Sequence, residues 1–95
     1  MKIPGLTIEE RSLLKKIFSG NFQVLVFGSR VKGTHKAFSD LDLCLKGNGP
    51  LSDVLLADIK ERLQKSTLPY IVDVVDYFRI GEEFRRKIED EGKSL

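Results

Sequence analysis

The chain has 95 residues, of which 41% are hydrophobic, and its 16 basic and 14 acidic side chains leave a net charge of +2. Because this length suits one domain, residues 1–95 are expected to form a single domain, and the hydrophobic fraction argues against disorder. The small net charge does not indicate nucleic-acid binding, and no apolar run is long enough to cross a bilayer. The single cysteine excludes an internal disulfide and favours a reducing, cytoplasmic location.

The N-terminal part of the chain predicts a helix followed by a strand. Thr7 and Glu10 fit a capping box, and apolar residues at helical spacing follow them. Gly20 and Asn21 are expected to end this helix. Residues 22–27 are rich in Val and Phe, so they predict a mostly buried strand that leads into a tight turn and a short helix.

The rest of the chain predicts two more strands and two more helices. Residues 41–46 form the second predicted strand, and a Gly-Asn-Gly-Pro loop follows it. Ser52 is expected to cap a helix with one apolar stripe. Residues 70–76 predict the third strand, and a last helix is expected to stop at Gly92. The resulting order, αβαβαβα, predicts an α/β (α+β) fold in which helices flank a small sheet.

The turn after the first strand has the composition of a phosphate site. Gly28 and Ser29 form the turn, the basic residues Arg30 and Lys32 follow, and Gly33 comes next. Free backbone N–H groups and nearby cations suit phosphate. We therefore expect Gly28, Ser29, Arg30 and Gly33 to bind a nucleotide. Two alternatives stay open here: Ser29 could be only a helix N-cap, and Lys32 could be an ordinary surface cation.

Two carboxylates open the second strand. Successive side chains of a strand point to opposite faces, so Asp40 and Asp42 share one face while the leucines between and after them share the other. Adjacent carboxylates repel each other unless a cation lies between them, and carboxylate oxygens suit a hard divalent cation. Both could instead be solvated residues at a strand end, but the preceding Gly-Ser-Arg sequence favours the metal site.

Together these motifs resemble the signature of nucleotidyltransferases of the DNA polymerase beta superfamily. The resemblance rests on Gly28, Ser29, Gly33 and residues 39–43 (Ser-Asp-Leu-Asp-Leu), and it covers roughly residues 22–76. Because the chain is short, it is most similar to the minimal nucleotidyltransferase (MNT) domains of prokaryotes, the MntA-like antitoxins of HEPN/MNT toxin–antitoxin pairs. The family takes a third carboxylate from a later strand, and Asp73 matches it.

The resemblance implies transfer of a nucleoside monophosphate from a nucleoside triphosphate, with ATP as the expected donor, to a hydroxyl group. It implies two Mg²⁺ ions held by Asp40, Asp42 and Asp73, with Asp73 as a possible base for the acceptor proton. It also implies a helical HEPN-type protein as the partner, since the chain is too short to carry an acceptor-binding domain of its own.

The expected site also predicts the sheet. For Gly28 to meet Asp40, the first two strands should be antiparallel neighbours, and a helical crossover should make the second and third strands parallel. This predicts a small mixed three-stranded sheet. Alternation in the third strand places Asp73 with Ile71 on one face and Asp76 on the other. We therefore choose Asp73 as the third carboxylate and expect Asp76 to be a polar strand end.

Three functions remain open from the sequence. The first is an active nucleotidyltransferase that modifies a partner protein. The second is a non-catalytic antitoxin that masks its partner by contact, and the third is a small-molecule nucleotidyltransferase of the aminoglycoside-modifying kind with a helical subunit. The intact set of carboxylates favours activity. Residues 46–51 and 77–84 are the expected partner surface, and exposed apolar residues there could also support self-association.

Overall fold

The helices and strands follow one another in the predicted order, with one additional strand at the end. The computed structural model describes residues 3–18, 20 and 22–95. In chain order the elements are α1 (Ile8–Ile17), β1 (Gln23–Phe27), α2 (Ser29–Lys32), β2 (Leu41–Lys46), α3 (Asp53–Gln64), β3 (Val72–Asp76), a 3₁₀ turn (Tyr77–Arg79), α4 (Glu82–Glu91) and β4 (Lys93–Ser94). The predicted α/β class is confirmed.

The strands form one mixed sheet in the order β3-β2-β1-β4. The antiparallel pairing of β1 with β2 and the parallel pairing of β2 with β3 are both as predicted. The prediction of three strands was wrong, because Lys93 and Ser94 pair antiparallel with Val26 and Leu25 and add a fourth. Two residues are too few to show the alternation by which a strand is recognised in a sequence.

Apolar side chains cover both faces of the sheet. One face packs against α1 and α3, and it holds the larger core cluster with Leu14 and Ile59. The other face packs against α4 through Leu25, Cys44 and Ile88. Cys44 is fully buried, as predicted, and burial raises the pKa of its thiol to about 11. Within the described residues, no helix combines the length and apolar character that a membrane span requires.

Local capping explains where the helices begin and end. Thr7 and Glu10 form the predicted capping box at the start of α1. The Ser52 hydroxyl accepts a hydrogen bond from the Leu55 N–H at the start of α3, which confirms the predicted cap. Gly92 follows the last residue of α4 as predicted. Of the two residues expected to end α1, Asn21 lies outside the described residues, and the helix already ends at Ile17.

Asp76 is the polar end of β3, as predicted, but it is buried. It is 4% exposed, and its two carboxylate oxygens accept hydrogen bonds from the backbone N–H groups of Leu51 (2.8 Å) and Phe78 (3.0 Å). The guanidinium of Arg79 lies 3.4 Å from the same carboxylate. A buried carboxylate needs such partners. Asp76 therefore joins the end of β3 to the loop that follows β2.

The hydrogen bonds of Asp76 predict a loss of stability on substitution. Asp76→Asn keeps the size of the side chain but leaves one of the two N–H groups facing an amide that donates rather than accepts. We expect the free energy of unfolding to fall by about 1–3 kcal/mol in urea denaturation. Asp73→Asn, at an exposed position of the same strand, should cause no loss. An Asp76→Asn protein as stable as the wild type would show that these buried bonds contribute nothing.

Candidate functional site

Gly28 brings the end of β1 against the carboxylate of Asp42. Phe27 and Asp42 are paired in the sheet, and Gly28 follows with φ +82° and ψ −159°. The positive φ requires glycine at this position, and a Cβ atom there would also displace Oδ2 of Asp42. The backbone of the turn at Gly28 and the carboxylate of Asp42 are therefore in direct contact.

The turn continues into α2, a single helical turn whose first backbone N–H groups have no acceptor within the helix. The amide of Val31 is bonded to the Gly28 carbonyl, so the amides of Ser29 and Arg30 precede the first bonded amide, as at any helix N-terminus. Gly28, not Ser29, occupies the N-cap position, so the N-cap alternative for Ser29 was wrong. In the part of the chain that the structure describes, the Ser29 hydroxyl has no hydrogen-bond partner. Gly33 ends α2 in the left-handed conformation, φ +76°.

The three candidate carboxylates lie at the same end of the sheet. Asp42 is directly opposite Asp73 in the parallel pair of β2 and β3. Cys44 and Val75, each two residues further along its strand, pack with Ile88 of α4, so Asp42 and Asp73 lie on the same face of the sheet as α4. Asp40 lies immediately before β2. Burial, and then the negative charges of Asp73 and Asp40, raise the pKa of the Asp42 carboxyl. The structure thus places the three residues that the sequence nominated at one end of the sheet, with the charges of the other two acting on Asp42.

This donor set suits a magnesium ion, although it is not closed around one. Carboxylate oxygens are the ligands that Mg²⁺ prefers, and the mutual repulsion that raises the Asp42 pKa would be relieved by a cation. Among the described residues, no three acidic, histidine or cysteine side chains are gathered closely enough to enclose a metal. The carboxylates would therefore have to turn toward an entering ion.

Arg30 has a different environment from the one expected of a phosphate ligand. It is 4% exposed, and its guanidinium donates to the carbonyls of Gly5 (2.7 Å), Ala37 (3.0 Å) and Ser39 (3.0 Å). The same group stacks on the Tyr70 ring, 3.8 Å from its centroid. A cation so enclosed cannot reach phosphate in an open site, so the geometry corrects the expected phosphate role. Arg30 instead holds the loop that leads to Asp40.

An open cavity of about 300 Å³ adjoins the turn and Asp42. It lies between α2 and α4, and the residues that matter for its chemistry are Ser29, Lys32, Asp42, Phe84, Lys87 and Glu91. We call it the turn cavity. The three α4 residues, Phe84, Lys87 and Glu91, are not among the site residues expected from the sequence. Their spacing of three and four places them on one helix face, but charged residues on a mixed helix are typical of a solvated surface, so the sequence alone does not indicate a site there.

Two large apolar side chains are exposed beside the carboxylates. Phe38 is 80% exposed and precedes Asp40 by two residues, while Ile71 is 67% exposed and precedes Asp73 by two residues. Exposed apolar groups that share a rim with a site are typical of a surface that another molecule covers. Neither residue belongs to the segments nominated from the sequence as a partner surface.

Comparisons with known proteins agree with the fold and with the motifs. Residues 10–95 match the family of nucleotidyltransferase domains. The chain is 39% identical over 83 residues to the probable protein adenylyltransferase MntA of Haemophilus influenzae, and the match covers 84% of this chain and 73% of that protein.

Solved structures share this architecture. One is a toxin–antitoxin with AMP-PNP, with a TM-score of 0.70 and 24% identity over 88% of this chain and 67% of that one. Another is a mutant of the toxin–antitoxin MntA–HpeT, with a TM-score of 0.73 and 23% identity over 95% of this chain and 72% of that one. At such identities the likeness shows the fold alone.

The raised pKa of Asp42 predicts a pH-dependent stability difference. Because the folded state raises this pKa above the ordinary 3.8, the proton is bound more tightly in the folded state, and its stabilising contribution is lost as the pH rises through the folded pKa. Metal-free Asp42→Asn should therefore be more stable than the wild type near neutral pH, with the difference disappearing toward pH 3.8. Thermal melts across this range measure it.

A matched control for that series is Asp58→Asn on α3, whose carboxylate forms an exposed ion pair with Arg62. This variant should gain no stability at any pH, since it loses only a weak surface attraction. Equal stability of Asp42→Asn and the wild type at neutral pH would contradict the burial of this carboxylate and its crowding by Asp73 and Asp40.

The buried guanidinium predicts that even a conservative change at Arg30 is destabilising. Lysine has no planar fork, so Arg30→Lys cannot serve three carbonyls and stack on Tyr70 together. We expect the free energy of unfolding to fall by about 2–3 kcal/mol. Arg86→Lys, at an exposed position on α4, should stay within about 0.5 kcal/mol. If Arg30→Lys weakened nucleotide binding but not folding, the phosphate role expected from the sequence would be right instead.

Proposed function

This chain belongs to the nucleotidyltransferase domain family and is a nucleotidyltransferase, and from that premise we propose that it transfers AMP from ATP to a hydroxyl group of a helical HEPN-type partner protein. In this proposal, residues 1–95 act as a single minimal nucleotidyltransferase domain in the cytoplasm. The chain is then the antitoxin of a toxin–antitoxin pair, and it neutralises the toxin by modifying it.

The observation that carries the proposal is the placement of Asp42, directly opposite Asp73 and in contact with the turn at Gly28. A triphosphate held at the turn would have its reacting phosphate beside these carboxylates. Asp40, Asp42 and Asp73 would hold two Mg²⁺ ions, which supply charge neutralisation at the phosphates and activation of the acceptor hydroxyl.

The protein's own groups have separable roles in this proposal. The Ser29 hydroxyl and the first amides of α2 bind phosphate oxygens, because these donors have no acceptor within the helix. Gly28 and Gly33 allow the backbone to make this turn. Asp73 lies on β3, at the edge of the sheet, where an acceptor can approach, and it accepts the proton of the attacking hydroxyl.

Two further findings support the adenylyl donor and the protein acceptor. The Haemophilus influenzae relative is named a probable protein adenylyltransferase, and two solved structures with the same fold are toxin–antitoxin complexes, one of them with AMP-PNP. The exposed Phe38 and Ile71 offer a partner an apolar contact close to Asp40 and Asp73. Placing the acceptor in this way contributes much of the rate of a transfer reaction.

The proposal predicts a covalent product on the partner. With ATP and Mg²⁺, a co-expressed helical partner should gain the mass of one or more AMP groups, as measured by intact-mass spectrometry. Asp42→Asn and Asp73→Asn should each lower the transfer rate by at least about 100-fold, because each removes a group that acts on the reacting atoms. Asp58→Asn, which is remote on α3, should transfer at the wild-type rate.

The other two functions correspond to different outcomes of the same experiment. A stable complex that gains no mass with any nucleoside triphosphate would favour an antitoxin that acts by contact alone. Failure to form a complex, together with transfer to a small hydroxyl compound, would favour a small-molecule nucleotidyltransferase. Wild-type transfer by Asp42→Asn would reject the assigned site.

A further inference from the structure

Helix α4 contributes a cation to the turn cavity. Lys87 lines the cavity together with Lys32 of α2 and Ser29 of the turn. Its neighbour Ile88 is fully buried against the sheet, so the position of Lys87 on the cavity wall is fixed by core packing. Among the described residues, Lys87 has no carboxylate within ion-pair distance, whereas six other lysines and arginines are paired. Its charge is therefore available to a ligand.

Lys32, the second cation of the cavity, is already engaged. Its Nζ lies 3.2 Å from Oε2 of Glu91, and both side chains are partly exposed, at 45% and 34%. A half-exposed ion pair of this kind is weak and easily replaced by a stronger anion. Glu91 also lines the cavity, one turn beyond Lys87 on α4. The ion pair thus places a carboxylate where an anionic ligand would contact Lys32.

A triphosphate needs such cations, and Arg30 cannot supply one because it is buried under three carbonyls. The amides and hydroxyl of the turn carry no net charge to match the phosphates. Lysine binds phosphate well as a point charge. Both lysines line the cavity together with Ser29 and Asp42, whereas Asp73, on the edge strand β3, does not line it. With the reacting phosphate between Asp42 and Asp73, the rest of the triphosphate would extend into the cavity, where the lysines meet its terminal phosphates.

We propose that Lys87 and Lys32 bind the terminal phosphates of the nucleoside triphosphate, and that Glu91 occupies Lys32 until the triphosphate displaces it. The inference rests on the proposed function, since it concerns the donor nucleotide of that reaction. It assigns to α4 a direct part in nucleotide binding. It also makes the affinity for triphosphate depend on the competition between Glu91 and phosphate for one ammonium group.

The test is equilibrium binding of α,β-methylene ATP in the presence of Mg²⁺, measured by titration calorimetry. In this analogue a methylene group replaces the oxygen that bridges the α and β phosphorus atoms. The bond that nucleotidyl transfer would break is therefore not cleaved, and binding is observed without reaction. Lys87→Gln should weaken binding by about tenfold or more, as expected for the loss of a charge-assisted contact. Glu91→Gln should strengthen it by up to about fivefold, because Lys32 is released.

Two controls separate a phosphate contact from a general effect of charge. Arg86→Gln removes the same charge from the residue just before Lys87. The Arg86 side chain is 73% exposed and paired with Glu82, so this change should alter the affinity by less than about twofold. AMP, which lacks the terminal phosphates, should bind Lys87→Gln and the wild type equally. Thermal melts establish that each variant is folded, as expected for exposed positions.

The outcomes distinguish this inference from the function on which it rests. A folded wild-type protein that binds no triphosphate analogue would reject the proposed function together with this inference. A wild type that binds, with Lys87→Gln no weaker than Arg86→Gln, would overturn the role of Lys87 and leave the proposed function intact. An equal loss of AMP affinity in Lys87→Gln would overturn the assignment to the terminal phosphates.

Discussion

Strand β2 is hydrogen-bonded on both sides, and the registers of its two pairings decide which side chains reach the face under α4. The pairing with β1 sets Asp42 against the turn at Gly28, and the pairing with β3 sets Asp42 opposite Asp73. A slip of one residue in either pairing would turn the carboxylates of one strand to the opposite face. The leucines of β2, fully buried under α1 and α3, prevent such a slip because it would expose them.

Arg30 extends this constraint beyond the sheet. Its guanidinium connects the N-terminal segment at Gly5, the loop at Ala37 and Ser39, and the ring of Tyr70 that precedes β3. Its acceptors are carbonyls rather than a carboxylate, so the charge is solvated by dipoles from segments far apart in the chain. Such a group is costly to remove. The loop that carries Asp40 therefore depends on a residue of the phosphate turn itself.

The sequence predicted those features that depend on local patterns. Alternation identified β2 and the faces of Asp73 and Asp76, and the capping signals of Thr7 and Ser52 located two helix starts. It could not predict that Asp76 is buried, because the partner that buries it, Leu51, lies 25 residues away. A helix of four residues is too short for the spacing of its apolar residues to show which face is buried. Nothing in the sequence therefore indicated that Arg30 points inward.

The composition of α4 illustrates the same limit. Helical spacing predicts that Phe84 and Ile88 share the inner face of α4, yet Ile88 is fully buried, whereas Phe84 is 38% exposed and contacts Phe27 at the edge of the turn cavity. Helical spacing identifies a shared face, but it does not show where the sheet beneath that face ends. Lys87 and Glu91 line the turn cavity beside Phe84, a position that tertiary structure decides.

The burial of Cys44 makes it a reporter of local opening. Its thiol lies between β2 and α4, fully enclosed, with a pKa of about 11. The exposed thiolate is the nucleophile that attacks alkylating reagents, so modification at neutral pH requires α4 to separate from the sheet. The rate of alkylation then measures the free energy of that separation. A ligand that bridges α2 and α4 stabilises the closed form and slows the reaction in proportion to its occupancy.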